Sequence, residues 1–248
     1  MDVWNKHVRS FGLGDYLGND LSTGRPGKIP TSEYYNKIYD YPTYRWYATA
    51  TLSNAIGQGE VLLTPIQLAN MTATIANRGW YYTPHMIKKI DGKPIKDERF
   101  IKKHRTTIDP ENFDPVIEGM HQVYKNGTAS SLQVEGIEIA GKTGTAENFV
   151  RVNGKRMQLT DHSIFVAFAP VDDPKIAIAV FVENGYWGGR YGGKIASLMI
   201  EKYLKGKITR TDLEDFIMDP KNSLEDEYEK PYSGEPFLIN DGKKNGWL

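Results

Sequence analysis

Two continuous apolar runs, SIFVAFAP (163–170) and the first part of KIAIAVFVENG (175–185), stand on either side of the tetrapeptide VDDP. Each run has the length of a strand, and the Asp-Asp-Pro punctuation between them marks a hairpin turn, so the two strands are antiparallel neighbours. They are also too uniformly hydrophobic for a sheet wet on one face. Upstream, VEGIEIAGKTGT (134–145) alternates from Ile137 onward and supplies a third strand. Downstream, KIASLMIEKYLKG (194–206) has helical periodicity, with Ile195, Leu198 and Met199 expected to pack inward. Three adjacent strands followed by a helix able to cover them predict an α+β (α/β) fold, a mainly antiparallel sheet flanked by helices.

The rest of the chain is read around that sheet. Val3, Trp4, His7, Val8 and Phe11 fall at helical spacing, and Gly12 and Gly14 offer a stop. The sequence thus begins inside an amphipathic helix, which leads us to expect a piece of a longer protein. Residues 12–50 are rich in Gly, Pro and Tyr and read as irregular connections. In TPIQLANMTATIANRG (64–79), Thr64 is placed to cap a helix, Pro65 to open it, Gln67 to complete a capping box and Gly79 to end it. Ile66, Ala69, Ala73 and Ala76 line one side and Leu68, Met71 and Ile75 another, so this helix is expected to be buried. In DPVIEGMHQVYKNG (114–127), Val116, Ile117, Met120, Val123 and Tyr124 share a face. From Thr211 on, acids outnumber bases ten to four. Residues 1–208 are therefore assigned to one folded region and 209–248 to an acidic, extended tail.

Composition excludes several classes. Thirty-one basic and thirty-one acidic residues give no net charge, and nothing points to nucleic acid or an anionic membrane as partner. With no cysteine there is no disulfide, thiol nucleophile or Cys-ligated metal. The histidines at 7, 85, 104, 121 and 162 lack metal-ligand spacing, and the glycines of AIGQGE lack the Lys-Ser/Thr ending of a phosphate loop. No run approaches the roughly 18 apolar residues of a membrane span, and no basic, apolar leader opens the sequence.

The stretch AGKTGTAENF (140–149) is where chemistry is expected. By itself Lys-Thr-Gly is a common tripeptide, and a strand end with a solvated lysine accounts for it. Strand alternation puts Thr143 and Thr145 on one face and Lys142 and Gly144 on the other. Beside a cleft, the two hydroxyls can grip a carboxylate while Lys142 holds a positive charge nearby. Gly144 leaves room for a ligand backbone, and the strand's unpaired main-chain groups can receive an extended peptide as an added strand. Each feature suits a peptide that ends in a carboxylate.

AGKTGTAE resembles the third motif of the penicillin-binding proteins, the serine D,D-transpeptidases that cross-link peptidoglycan and share a fold with serine β-lactamases. FGLGDYLGNDLSTGRPGKIP, AIGQGEVLLTPIQLANMTATIANRG, NGTASSL and DHSIFVAFAP also resemble stretches of the class B enzymes, in family order from about residue 1 to 205. The likeness is strongest to the elongation-type branch, penicillin-binding protein 2. Glu147 stands where relatives often carry glutamine. The resemblance implies that Lys142 bonds the serine of the family's second motif and sets the electrostatics. It implies that Thr143 and Thr145 bind the terminal carboxylate of a stem peptide or of a β-lactam, and that the Thr145 N–H forms half of an oxyanion hole. It implies no metal or organic cofactor, cell-wall elongation partners for the parent protein, and an inner-membrane anchor, absent from this chain, that holds the domain on the extracytoplasmic side.

The family's nucleophile sits in Ser-x-x-Lys and its proton relay in Ser-x-Asn. None of the ten serines here has lysine three residues on, and none has asparagine or aspartate two residues on. The resemblance places both motifs upstream of Met1, so the chain alone is expected to be inactive. Two other functions fit the same strand. One is a β-lactamase-like or D,D-carboxypeptidase hydrolase; the other is a peptidoglycan-binding module in which KTGT only grips a carboxylate. Elsewhere, YYNKIYDYPTYRWY (34–47) is either a stacking platform for glycans or a partner surface, or else aromatic packing of loops on a core. ENGYWGGRYGGK (183–194) is either an anion site before a helix or a flexible connection.

Overall fold

The structure is a computed structural model that describes residues 1–226. Its contacts divide the chain into two compact units, Met1–Glu118 and the residues from Gly119 on.

The first unit is mostly helical. It holds α1 (Asp2–Arg9), α2 (Ser32–Ile38), α3 (Ala48–Ala55), α4 (Pro65–Ala76) and the short α5 (Glu98–Ile101). Two small antiparallel ladders accompany them: β1 (Trp80–Tyr81) with β4 (His104–Arg105), and β2 (Lys89–Ile90) with β3 (Lys93–Pro94). The helix α4 starts as its sequence predicts. The Thr64 hydroxyl accepts from the Gln67 N–H, and the Gln67 side-chain oxygen accepts from the Thr64 N–H at 2.9 Å. The same Gln67 amide donates to the carbonyls of Asp15 and Pro26, tying a loop to the cap. Replacing Thr64 with alanine is expected to lower stability by about 1 kcal/mol in urea unfolding.

Three expectations are corrected in this unit. Residues 12–50 are not all irregular, because α2 and the start of α3 lie there. Thr31 caps α2, and Tyr35 is buried beneath a stack with Trp46 at 5.3 Å. The aromatic stretch is thus divided: Tyr35 packs inward, while Tyr41, Tyr44 and Tyr47 are exposed. In α4 the buried side chains include Gln67, Asn70, Thr72 and Thr74, while Ile66 is exposed. Thr72 and Thr74 are accommodated because their hydroxyls donate to the carbonyls of Leu68 and Asn70. In α1, Val3 is exposed and Asn5 is buried, donating to the carbonyls of Ile29 and Pro30.

A longer helix, α6 (Asp114–Lys125), runs across the boundary between the units. Ile117, Met120 and Tyr124 are buried on it as predicted, but Val116 is exposed.

The second unit is built on the predicted sheet. β5 (Ala140–Ala146), β8 (His162–Ala169) and β9 (Ile176–Val182) pair antiparallel in the order β5-β8-β9. The register places Lys142 opposite Val166, Thr143 opposite Phe165, Gly144 opposite Ile164 and Thr145 opposite Ser163. One face of β8 carries Ser163, Phe165 and Ala167, all fully buried. α7 (Gly192–Lys205) covers this face and contributes Ala196 and Ile200 to a core with Tyr124, Leu132, Ile139 and Ile178. On the opposite face Ile164 and Val166 are only partly buried and Phe181 is exposed, so the sheet is wetter on that side than its composition predicts. Met199, expected to point inward from α7, is 52% exposed; the helix instead buries Ala196, Ser197, Ile200 and Glu201.

Two elements were not anticipated. β6 (Phe149–Val152) and β7 (Lys155–Gln158) form a hairpin between β5 and β8, turning at Asn153-Gly154, where both residues have positive φ. The second is α8 (Thr211–Met218), which packs on α7 and corrects the extended tail for those residues. Residues 227–248 of that tail lie outside the described residues.

Candidate functional site

β5 is an edge strand: β8 pairs with one side of it, and no strand pairs with the other among the described residues. In an antiparallel ladder alternate residues turn both main-chain groups away from the partner strand. The Thr143 carbonyl accepts from Lys142 Nζ at 2.8 Å, so Thr143 faces the open edge, and two-residue periodicity turns Thr145 the same way.

The side chains meet at that edge. Lys142 is exposed, and its ammonium bends back to within 3.4 Å of Thr143 Oγ1. Lysine and threonine are therefore in contact although alternation puts them on opposite faces, because the four-carbon stem of lysine is long enough to reach around the strand. Thr128 Oγ1 stands 3.2 Å from Thr143 Oγ1. Thr145 is exposed beside this group. At Gly144 a β-carbon would lie 3.3 Å from Ile164 Cβ, tight against its cross-strand neighbour.

Thr128 was not identified from the sequence as a site residue. It belongs to NGTASSL, and the contact joins residues fifteen apart with no periodic relation between them. The only signal was the adjacency of two small, turn-forming segments in the family order.

Behind β5 the connection from β9 to α7, residues 183–191, is pinned down rather than flexible. The fully buried Ser163 donates to the Trp187 carbonyl at 2.9 Å and accepts from the Gly192 N–H at 3.1 Å. The Gly193 N–H donates to the Gly188 carbonyl, and the Tyr186 N–H to the Asp161 carbonyl. Gly188 lies directly on the ladder between Gly144 and Ile164: a β-carbon there would be 2.5–2.8 Å from their main-chain atoms. Gly192 and Gly193 let the first turn of α7 press on Phe165. The glycines of this stretch thus serve close packing. Its cation, Arg190, is held over the rings of Tyr186, Trp187 and Tyr191.

At the far end of β5 the chain is held by Asn148. Its amide donates to Asn184 Oδ1 at 2.7 Å and to the Thr160 carbonyl, and its N–H donates to Asp161. The strand that carries Lys142, Thr143 and Thr145 is therefore clamped along one side and at its end, with its other edge open. Such an arrangement can hold an extended chain by main-chain pairing and an anionic group by one ammonium and several hydroxyls.

Comparison with known proteins agrees with this architecture. The family model for the penicillin binding protein transpeptidase domain matches residues 1–205. Peptidoglycan D,D-transpeptidase MrdA of Acinetobacter baumannii is 36% identical over 208 residues, which is 80% of this chain and 30% of that protein. Among solved structures, Pseudomonas aeruginosa PBP2 in complex with WCK 5153 matches with a TM-score of 0.68 at 34% identity, covering 88% of this chain and 47% of that one. The complex of PBP2 and MreC from Helicobacter pylori gives a TM-score of 0.61 at 29% identity, covering 83% of this chain and 36% of that one. The chain spans about a third of the length of the curated relatives it matches. The match of nearly the whole described chain to one family model, with the Lys-Thr-Gly strand at the edge of the predicted sheet, makes this chain a member of the penicillin-binding protein transpeptidase family.

Proposed function

We propose that this chain is the substrate-gripping part of a peptidoglycan D,D-transpeptidase of the penicillin-binding protein 2 type. The observation that carries the reading is the clamped edge strand, on which Lys142, Thr143 and Thr128 form one hydrogen-bonded group beside Thr145. In this reading the donor stem peptide adds to the open edge of β5, and its terminal carboxylate meets the hydroxyls of Thr143 and Thr145. Lys142 supplies a fixed positive charge. Gly144 keeps the strand free of a side chain where the peptide lies against it. The Thr145 N–H is one of two donors to the oxyanion that forms when a serine attacks the penultimate D-Ala carbonyl. D-Ala then leaves, and an amine of a neighbouring stem peptide takes the acyl group. A donor of that kind is worth about 3 kcal/mol in the transition state. A β-lactam enters the same site, its carboxylate standing in for that of D-Ala.

The attacking serine is not in this chain, since no serine here has a lysine three residues on to serve as its base. We therefore assign residues 1–208 to the C-terminal part of a transpeptidase domain and expect the chain by itself to be inactive. No helix among the described residues is long and apolar enough to cross a membrane. The full protein is read as anchored in the inner membrane and acting on its outer side. The Helicobacter pylori PBP2 was solved in complex with MreC, which supports a cell-wall elongation partner for the full protein here.

Intact mass after incubation with a penicillin tests this reading, on the chain as given and on one extended upstream in its own reading frame. One adduct on the extended chain and none on the short one is the expected result. No adduct on either overturns the acyl-enzyme reading and leaves a binding module.

A further inference from the structure

We propose that Thr128 is a positioning residue for the carboxylate end of the substrate, acting through Thr143. This rests on the transpeptidase reading and extends it to a residue outside the Lys-Thr-Gly strand.

The argument starts with protons. A hydroxyl has one hydrogen to give and two lone pairs, whereas a lysine ammonium only donates. Thr143 Oγ1 lies 3.4 Å from Lys142 Nζ and 3.2 Å from Thr128 Oγ1. Lys142 therefore occupies one lone pair of Thr143, and a single proton lies between the two hydroxyls. If Thr128 donates, Thr143 accepts from both Lys142 and Thr128, and its own proton is left for an anion in a direction those two partners fix. If Thr143 donates, the Thr128 proton is left instead. In either arrangement the pair keeps one donor for an anion, and the first has it already directed when the anion arrives.

The placement of Thr128 is determined by its neighbours. Ala129 is fully buried in the core with Phe165, and its N–H donates to the Val123 carbonyl. Gly127 sits so close to the end of α6 that a β-carbon would be 2.8 Å from Val123 Cα. The Thr128 carbonyl lies 3.7 Å from where a Gly189 β-carbon would stand. The backbone on both sides of Thr128 is thus anchored in the same core that backs β5, although Thr128 itself is exposed. A residue whose surroundings are fixed and whose hydroxyl meets Thr143 at the open edge has the geometry of a preset contact.

The test uses the upstream-extended chain and two penicillins, one with its free carboxylate and one as the carboxylate ester. Thr128→Val keeps the shape and removes the hydroxyl; Thr128→Ser keeps the hydroxyl. For the free carboxylate, Thr128→Val is expected to raise the half-saturating concentration for acylation about tenfold, the factor carried by one hydrogen bond of ordinary net strength. The limiting acylation rate and the unfolding midpoint should stay near wild type. Thr128→Ser should restore the wild-type value, and the ester should show no difference between variants. Equal loss with both penicillins, or a loss confined to the limiting rate or to stability, overturns the proposal. Normal acylation of Thr128→Val also overturns it while leaving the transpeptidase reading intact. Absence of any adduct on the wild-type extended chain removes both.

Discussion

Replacing Arg210 with alanine is expected to destabilise the unit that carries β5 by about 3–5 kcal/mol, the usual cost of leaving one partner of a buried ion pair alone. Glu201 is fully buried in α7, and its Oε2 lies 3.1 Å from Arg210 Nε. Its other oxygen accepts from the hydroxyl and the N–H of Thr209. Arg210 also donates to the carbonyls of Leu132 and Gln133, so one guanidinium joins the end of α7 to the segment that leads into β5. Alanine would remove all of this and leave the carboxylate with Thr209 alone.

The effect has a pH signature that differs between the two proteins. In the wild type, burial pushes the Glu201 carboxyl up, but the Thr209 hydroxyl and Arg210 outweigh it and hold the group below the ordinary value of 4.5. A lowered folded-state value means that its contribution is complete above about pH 4.5 and is lost as pH falls through the folded value. Without Arg210, two of the contributions that lower the carboxyl are gone, and it lies higher than in the wild type. The folded variant then binds its proton more readily than the folded wild type, and the difference between the two shrinks as pH falls. Urea unfolding at neutral pH and near pH 4.5 should therefore show the gap between wild type and variant narrowing on acidification. A gap under 1 kcal/mol at neutral pH, or one that does not narrow, would show that the pair is not the strut described. Replacing both residues by Gln and Met should cost less than Arg210→Ala alone.

How far the fold was legible depended on which signals survive without knowledge of neighbours. Continuous apolar strands joined by a Pro-containing turn can do little but pair, so β8 and β9 were found with their turn. The Thr64–Gln67 box is local chemistry and was found residue by residue. Helix orientation was less secure. Val3, Ile66, Val116 and Met199 all lie at helical spacing from buried residues, yet each is exposed. Spacing defines a stripe about as wide as half the helix, and its edges are settled by what packs there. The buried polar face of α4 was invisible because its threonines are paired within the helix and its Gln and Asn bond to loop carbonyls. The Asn-Gly turn of the β6–β7 hairpin is a local signal of the kind that sequence alone carries. In the tail, acidic composition outweighed the apolar Leu213, which packs against the core of the second unit. At the site, Lys142, Thr143, Gly144 and Thr145 form one contiguous word and were named together, whereas Thr128 reaches Thr143 only through the fold.

Gly188→Ala is expected to lower penicillin acylation of the extended chain by about 10²-fold, the order of loss that follows a displacement of about 1 Å at a reacting site. A single methyl can do this because of what it meets. Its carbon would lie 2.5 Å from the Ile164 carbonyl oxygen, 2.7 Å from that of Gly144 and 2.8 Å from the Gly144 nitrogen. None of these atoms belongs to a side chain that could swing away. Either the 183–191 connection lifts, breaking the contacts of Ser163 with Trp187 and of Gly193 with Gly188, or β5 moves at the residue between Thr143 and Thr145. Overpacking of this kind should also cost about 1–3 kcal/mol. Gly189→Ala is the internal control, because its nearest neighbours would be 3.7 Å away, at ordinary contact distance. Gly189→Ala should resemble wild type in acylation, in unfolding midpoint and in amide exchange along β5, while Gly188→Ala should exchange faster at Thr143, Gly144 and Thr145. If the two variants behave alike, Gly188 does not set the strand. If Gly188→Ala loses stability but acylates normally, the strand tolerates the shift, and the grip on substrate does not depend on its line.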